Sequence, residues 1–352
     1  MRPIAAVAAG LVVTALVALG VTLAVLRVES RTNTQQVNLR TGVSISEDSA
    51  IVQAAAKARP AVVSVVTGQQ PASARGSGYL ATSDGVIVTN TDVIAGATRI
   101  TVLIPNDSKP HEARLVDYDC QTGVAVIKID KVSNLPTLGF ADPAALVQGQ
   151  VVVAVAGPFD GGAITPGYVS AMHRAVSVTD ASNLGRVAQY SDTIQTNAAI
   201  DRGTAGGPLL NVGGQVIGIA MQSSTFDART GHGLNVADIQ DDVQQILQTG
   251  QVVVASLGTT NVDLAPEVAA LNGLPGGSQV VTVEKGGPAG SSLQPGDIIT
   301  QLDDVKVDAA HPLSLLLRSR FHPNQRVTVT YSRSGSSTQA EATLTGQHPA
   351  CP

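Results

Sequence analysis

The stretch Ile200-Asp201-Arg202-Gly203-Thr204-Ala205-Gly206-Gly207-Pro208-Leu209-Leu210 decides how the rest of the chain is read. Gly203, Gly206 and Gly207 surround one small residue, and an apolar run follows. Glycine lets backbone amides turn towards a single point, which is what an oxyanion-binding cradle requires. At the centre is the methyl group of Ala205. A glycine-rich turn can equally be an ordinary turn, so the flanking sequence carries the decision.

Working outward, short β-like runs separated by turn signals occupy 61–67, 78–81, 86–89, 99–104, 113–118, 124–129, 151–156, 168–172, 194–196 and 215–220. Many short strands with glycine-rich turns predict a sandwich or barrel. A helix over 239–249 closes this region: Asp238 is placed to cap it, Ile239, Val243, Ile246 and Leu247 share one face, and Gly250 can end it. Beyond it, strands are expected at 279–284, 297–302, 326–331 and 339–344. Among them lies one helix with Pro312 in its first turn and Leu313, Leu316, Leu317 and Arg320 at helical spacing. The expected organisation is therefore an N-terminal stub and membrane helix over 1–27, a polar spacer with a short helix at 48–57 over 28–58, a first domain over 59–250, a second over 251–346 and a tail over 347–352.

Composition narrows the function. With 352 residues and a net charge of -5 the chain has no basic stripe for phosphate backbones, so nucleic acid is not an expected partner. The uninterrupted apolar run over 4–26, bounded by Arg2 and Arg27, is long enough to cross a bilayer as a helix, which makes a single-pass anchor the expectation. A cleaved signal peptide is the alternative, although the run exceeds the usual apolar region of about 7 to 15 residues. No His/Cys/Asp cluster has metal-ligand spacing, and no cofactor is implied. His111, His173, His232, His311, His322 and His348 are scattered and read as surface or loop residues.

Several segments resemble, in order and spacing, the protease domain of the HtrA family. Arg75-Gly76-Ser77-Gly78-Tyr79-Leu80 is similar to its Gly-Ser-Gly strand, and Gly85 to Ala97, containing Thr89-Asn90-Thr91-Asp92, to the segment around its catalytic histidine. Gly157-Pro158-Phe159 is similar to its Asn-Pro-Phe turn, and the stretch around Ala205 to its Gly-Asn-Ser-Gly-Gly-Pro loop. The resemblance implies a mainly β fold: a trypsin-like pair of six-stranded barrels with the cleft between them. It places Asp92, Gly123 and Ala205 at the histidine, aspartate and serine positions, with Gly203 and Ala205 as the remnant of the oxyanion hole. Acyl transfer by that route needs a nucleophile, a base and a group that orients the base, and loss of the set costs roughly 10⁶ in turnover. The expectation is therefore an inactive homologue rather than an enzyme.

The second domain resembles a PDZ domain. Ser256-Leu257-Gly258-Thr259 stands where the family has its carboxylate-binding loop, and Gly286-Gly287-Pro288-Ala289-Gly290 and Pro295-Gly296-Asp297-Ile298-Ile299 match its turns. The resemblance implies capture of peptide or protein C-termini by Leu257, Gly258 and Thr259, with Leu313, Leu316 and Leu317 lining the groove. A packing module without a working groove is the bland alternative. Cys120 and Cys351, the only cysteines, could pair in an oxidising compartment or remain two thiols. The expected whole is a plasma-membrane-anchored protein with an extracytoplasmic body that binds peptides or a partner. The alternatives are an envelope chaperone or assembly scaffold, alone or with HtrA-like relatives in an oligomer, and an endopeptidase acting through unidentified groups.

Overall fold

The computed structural model describes residues 16–23, 50–68, 74–179, 187–221, 230–308 and 311–349. The chain divides into a unit over residues 1–47 and a unit over 48–352. In the first, residues 16–23 form a helix, α1, with exposed side chains. No helix among the described residues is long and apolar enough to cross a membrane. Most of the expected anchor over 4–26, and residues 28–49 of the spacer that follows it, lie outside those residues.

The second unit opens with α2 (Ala50–Ala58), which buries Ala54, Ala55 and Ala58. Pro60 turns its end into a 3₁₀ turn. Twelve strands then build two closed barrels. The first is β1 (Val62–Thr67), β2 (Ala74–Leu80), β3 (Val86–Asn90), β4 (Ile100–Leu103), β5 (His111–Asp119) and β6 (Val124–Ile129), closed in the order β1-β2-β3-β6-β5-β4. The second is β7 (Val151–Val155), β8 (Ile164–Thr179), β9 (Val187–Thr196), β10 (Pro208–Leu210), β11 (Val216–Met221) and β12 (Gly231–Asn235), closed in the order β10-β11-β12-β9-β8-β7. This is the expected pair of six-stranded barrels, and closure leaves neither sheet an open edge.

Valine and isoleucine suit these strands because branched side chains pack well on a pleated surface. All six residues of β11 are buried, and in β6 only Lys128 is partly exposed, so both faces of these strands are covered. One hydrophobic core runs from the first barrel onto Tyr190, Ile219, Met221 and Leu234 of the second. A separate core around Val152, Ile194, Leu209 and Ile217 fills the second barrel. Each fully buried Ile or Leu of these cores stabilises the fold by about 1.5–3 kcal/mol.

Two expectations change. β8 and β9 are much longer than the runs read at 168–172 and 194–196, because three register shifts between them break the alternation that a sequence reading follows. The helix α4 (Val236–Thr249) starts before Ile239: the cap is Asn235, whose side chain accepts from the Ala237 amide, and Asp238 sits in the first turn instead. Gly250 does end the helix, in a left-handed conformation.

The remainder forms β13 (Val254–Ser256), β14 (Thr259–Asp263), α5 (Pro266–Leu271), β15 (Ser278–Val283), β16 (Ile298–Leu302), β17 (Val305–Lys306), α6 (Leu313–Ser319), β18 (Arg326–Arg333), β19 (Ser336–Thr343) and β20 (Thr345–Gln347), preceded by the helix α3 (Thr91–Ile94) of the first barrel. β14-β15-β16-β18-β19 make one sheet with β14 at its edge, and β13 pairs with β20. Pro312 precedes α6 as its N-cap rather than lying in its first turn. This sheet has its own core, which includes Leu257, Ile299, Leu313, Leu316 and Tyr331.

Candidate functional site

The loop after Ile200 is organised by Asp201. Its carboxylate accepts from the Thr204 amide and from Thr204 Oγ1, both at 2.8 Å, and its carbonyl accepts from the Ala205 amide at 3.0 Å. Thr204 and Ala205 are buried. The Gly206 amide donates to the Ala220 carbonyl, and the Gly207 amide to that of Thr204. The Ala205 amide therefore points into the turn, and it does not converge with Gly203 on an outside oxygen. Thr204 is held as a turn hydroxyl by Asp201.

Ser77, within the quoted Gly-Ser-Gly strand, ties this loop to its surroundings. Its Oγ donates to the Gly203 carbonyl at 2.5 Å and accepts from the Gly157 amide at 2.7 Å, while its own amide donates to the Ala205 carbonyl at 2.7 Å. Thr89 Oγ1 donates to the Ser77 carbonyl. Sequence reading quoted this serine only as part of a motif; its place between two glycines was the available signal.

Asp92 and Gly123, expected at the histidine and aspartate positions, meet at the same junction. Asn90 caps α3 by accepting from the Val93 amide, and its side-chain nitrogen donates across the barrels to the Ala220 carbonyl. Asp92 lies exposed on α3. The Thr91 amide donates to the Gly123 carbonyl at 2.8 Å, which brings positions 92 and 123 together. Gly123 has φ of 78°, and a Cβ there would fall 2.6 Å from Tyr190 Cε1 and 3.0 Å from Leu234 Cδ2. Tyr190 therefore fills the space a side chain at 123 would need. Nothing in its local sequence announces this, because the ring arrives from β9.

Among the described residues no group of three or more His, Cys, Asp or Glu could hold a metal ion. His232 departs from its expected surface position: it lies within β12 and is buried, its Nδ1 has no hydrogen-bond partner among the described residues, and burial, helped by Arg174, lowers its pKa. Cys120 is disulfide-bonded. Cys351, the partner weighed for it against two free thiols, lies outside the described residues.

The second candidate site is the loop before β14. Gly258 has φ of 68°, which favours glycine, and its amide donates to Ser256 Oγ at 3.0 Å. The Leu257 carbonyl accepts from Ala289 and the Gly258 carbonyl from Glu284. The Leu257 amide has no backbone acceptor among the described residues. Leu257, Leu313 and Leu316 are buried in one core, whereas Leu317 is only partly buried against it. Of the three leucines expected to line a groove, two thus support α6 from beneath.

Comparisons with known proteins agree with this anatomy. Residues 76–219 match the family described as trypsin-like peptidase domain, and residues 216–344 match the PDZ domain. A probable periplasmic serine endoprotease DegP-like from Halomonas elongata is 35% identical over 278 residues, covering 76% of this chain and 56% of that protein. A serine protease Do-like HtrA from Lactococcus lactis subsp. lactis is 34% identical over 293 residues, covering 77% of this chain and 71% of that protein. The chain thus spans little more than half the length of the Halomonas relative. Among solved structures, an HtrA-type protease AlgW with decapeptide superposes with a TM-score of 0.69 at 28% identity, covering 85% of this chain and 99% of that one. These relatives contradict the expectation that the chain is not an enzyme. They are named serine endoproteases, a serine protease and an HtrA-type protease, and match across three quarters or more of its length, so the kinship points to a protease.

Proposed function

The chain belongs to the HtrA family of trypsin-like serine proteases with a PDZ domain, and on that premise we propose that it takes hold of polypeptides in the cell envelope by their free C-termini. The observation that carries this reading is the loop Ser256 to Thr259. Among the described residues it supplies a Leu257 amide without a backbone acceptor and a Gly258 amide that donates to a hydroxyl, at the start of a sheet-edge strand. A carboxylate placed there gains charge-assisted hydrogen bonds, and the peptide extends beside β14, where the edge offers unpaired backbone groups. The partly buried Leu317 gives its last side chain an apolar neighbour. An HtrA-type relative has been solved with a decapeptide, which supports peptide as the ligand class.

The envelope location is supported by relatives named periplasmic, and we assign the anchor to the apolar run over 4–26. Proteolysis is the activity in the relatives' names. In this chain position 205 offers a methyl group, which cannot be acylated, so hydrolysis at the cleft has no covalent intermediate on that residue.

Hydrogen exchange on the full chain, with and without a peptide ending in a free apolar residue, tests the location. Protection is expected at 257–263 and not at 203–207. Protection confined to 203–207 would place the ligand in the cleft and overturn the reading.

A further inference from the structure

Arg318, on α6, reaches from the PDZ domain to two carboxylates of the barrels. Its Nη1 donates to Asp242 Oδ1 of α4 at 2.8 Å, and its Nη2 donates to Asp119 Oδ2 of β5 and to Gln121 Oε1. The carboxylates are almost wholly buried, with side-chain exposures of 0% for Asp119 and 3% for Asp242, and Arg318 itself is 13% exposed. Thr122 Oγ1 donates to Asp242 Oδ2 at 2.7 Å. Two residues earlier on β5, Asp117 accepts from the Val252 amide and pairs with His348, so one side chain holds both the chain entering the PDZ fold and the chain leaving it. Between α4 and α6 lies a cavity of about 430 Å³, lined in part by Asp238, Asp241, Asp242, Arg318 and His322.

The charges do not balance. With both ionised, Asp119 and Asp242 place two negative charges out of water against one guanidinium, and the uncompensated charge costs desolvation energy. A proton on Asp242 removes the excess. It leaves Arg318 matched to Asp119, and the neutral carboxyl still has an oxygen to accept from Thr122 or Arg318.

We propose that Asp119, Arg318 and Asp242 form an acid-closed latch that holds α6 against the barrels and loosens as Asp242 gives up its proton. This concerns docking of the PDZ domain and requires no ligand.

The surroundings of Asp242 agree in direction. Burial, opposed by Arg318 and reinforced by Asp119, pushes its carboxyl up to about 7, and burial together with Asp192 pushes Asp238 on the same helix up to about 6. Asp241 lies on the same helix, Arg318 faces from α6, Asp119 from β5, and His322 lines the cavity beyond α6. His173 and Arg318 act on Asp238 in the opposite sense to Asp192. The His348 ring lies 2.9 Å from Asp117 at the edge of this contact.

Undocked, Asp242 returns to water and to the ordinary carboxylate range of about 4. The docked state therefore binds the extra proton between about 4 and about 7, and docking is lost as pH rises through that window. The opening constant rises by up to about tenfold per pH unit and levels off above it.

Hydrogen exchange of the Val252 and α6 amides in the full chain, corrected for the intrinsic rate at each pH, measures opening directly. The wild type is expected to open about fiftyfold more at pH 7 than at pH 5. Asp242→Asn, which keeps the shape of the neutral acid, stays more closed than the wild type at pH 7, with a shallower profile to which Asp238 still contributes. Arg318→Gln opens throughout, and the β6 amides report in the same experiment that the barrel has kept its fold. A wild-type profile that is flat or falls with pH, or an Asp242→Asn profile as steep as the wild type, overturns the latch.

Discussion

Two glycine-turned loops in this molecule treat the same resource, the backbone amide, in opposite ways. In the barrel loop, four successive amides are satisfied internally: Thr204 by the Asp201 carboxylate, Ala205 by its carbonyl, Gly206 by Ala220 and Gly207 by Thr204. In the PDZ loop the Gly258 amide is held only by Ser256 Oγ, a hydroxyl that can rotate away, and the Leu257 amide has no backbone acceptor among the described residues. A loop binds an anion with the amides it leaves open, so glycine content alone does not make a binding site. In this conformation the first loop is a packed junction, and the second is the one we propose as a receptor.

The largest effect expected from this contrast is at Gly123. Gly123→Asp places a side chain against Tyr190 and Leu234 at a positive φ, which crowding and backbone strain together make about 3 kcal/mol destabilising. Denaturant unfolding of the full chain checks it. A neutral substitution would mean that Tyr190 moves aside and the junction is less packed than described.

Ser77→Ala comes next. It leaves the part-buried Gly203 carbonyl and the buried Gly157 amide without their shared hydroxyl, at a cost of about 2 kcal/mol, and the loss should appear as raised exchange at 203–207 with no change at 256–263. Equal loosening of both loops would erase the distinction between them.

Ser256→Ala sharpens the comparison from the other side. Without the hydroxyl, the Gly258 amide no longer exchanges an internal acceptor for the ligand, so a C-terminal peptide should bind about threefold tighter, or about 0.7 kcal/mol. The lost bond from Ser256 Oγ to Gln347 should lower stability slightly. Weaker peptide binding would show that the hydroxyl orients the loop rather than competing for it.

The sequence made the two loops and their family legible, because their meaning lies in short, ordered motifs such as Gly76-Ser77-Gly78 and Ser256-Leu257-Gly258-Thr259. The resemblance also put Asp92, Gly123 and Ala205 at three expected triad positions, but the conclusion drawn from that about activity did not survive the kinship with named serine proteases. What stayed hidden depends on residues far apart in the chain. Tyr190 reaches Gly123 from β9, and Arg318 reaches Asp119 across 199 residues. The register shifts between β8 and β9 hid most of both strands, and Asn235 took the cap expected of Asp238 because its side chain reaches the Ala237 amide first.

The receptor claim is tested most directly by titrating one labelled peptide, with its C-terminus either free or amidated, into the full chain and following fluorescence anisotropy. Amidation removes the charge that the Leu257, Gly258 and Thr259 amides would hold, so the free acid should bind at least about tenfold tighter, or about 1.4 kcal/mol. Equal affinity for the two ends would contradict carboxylate capture, and no binding of either across a library of C-terminal sequences would make the domain a packing module.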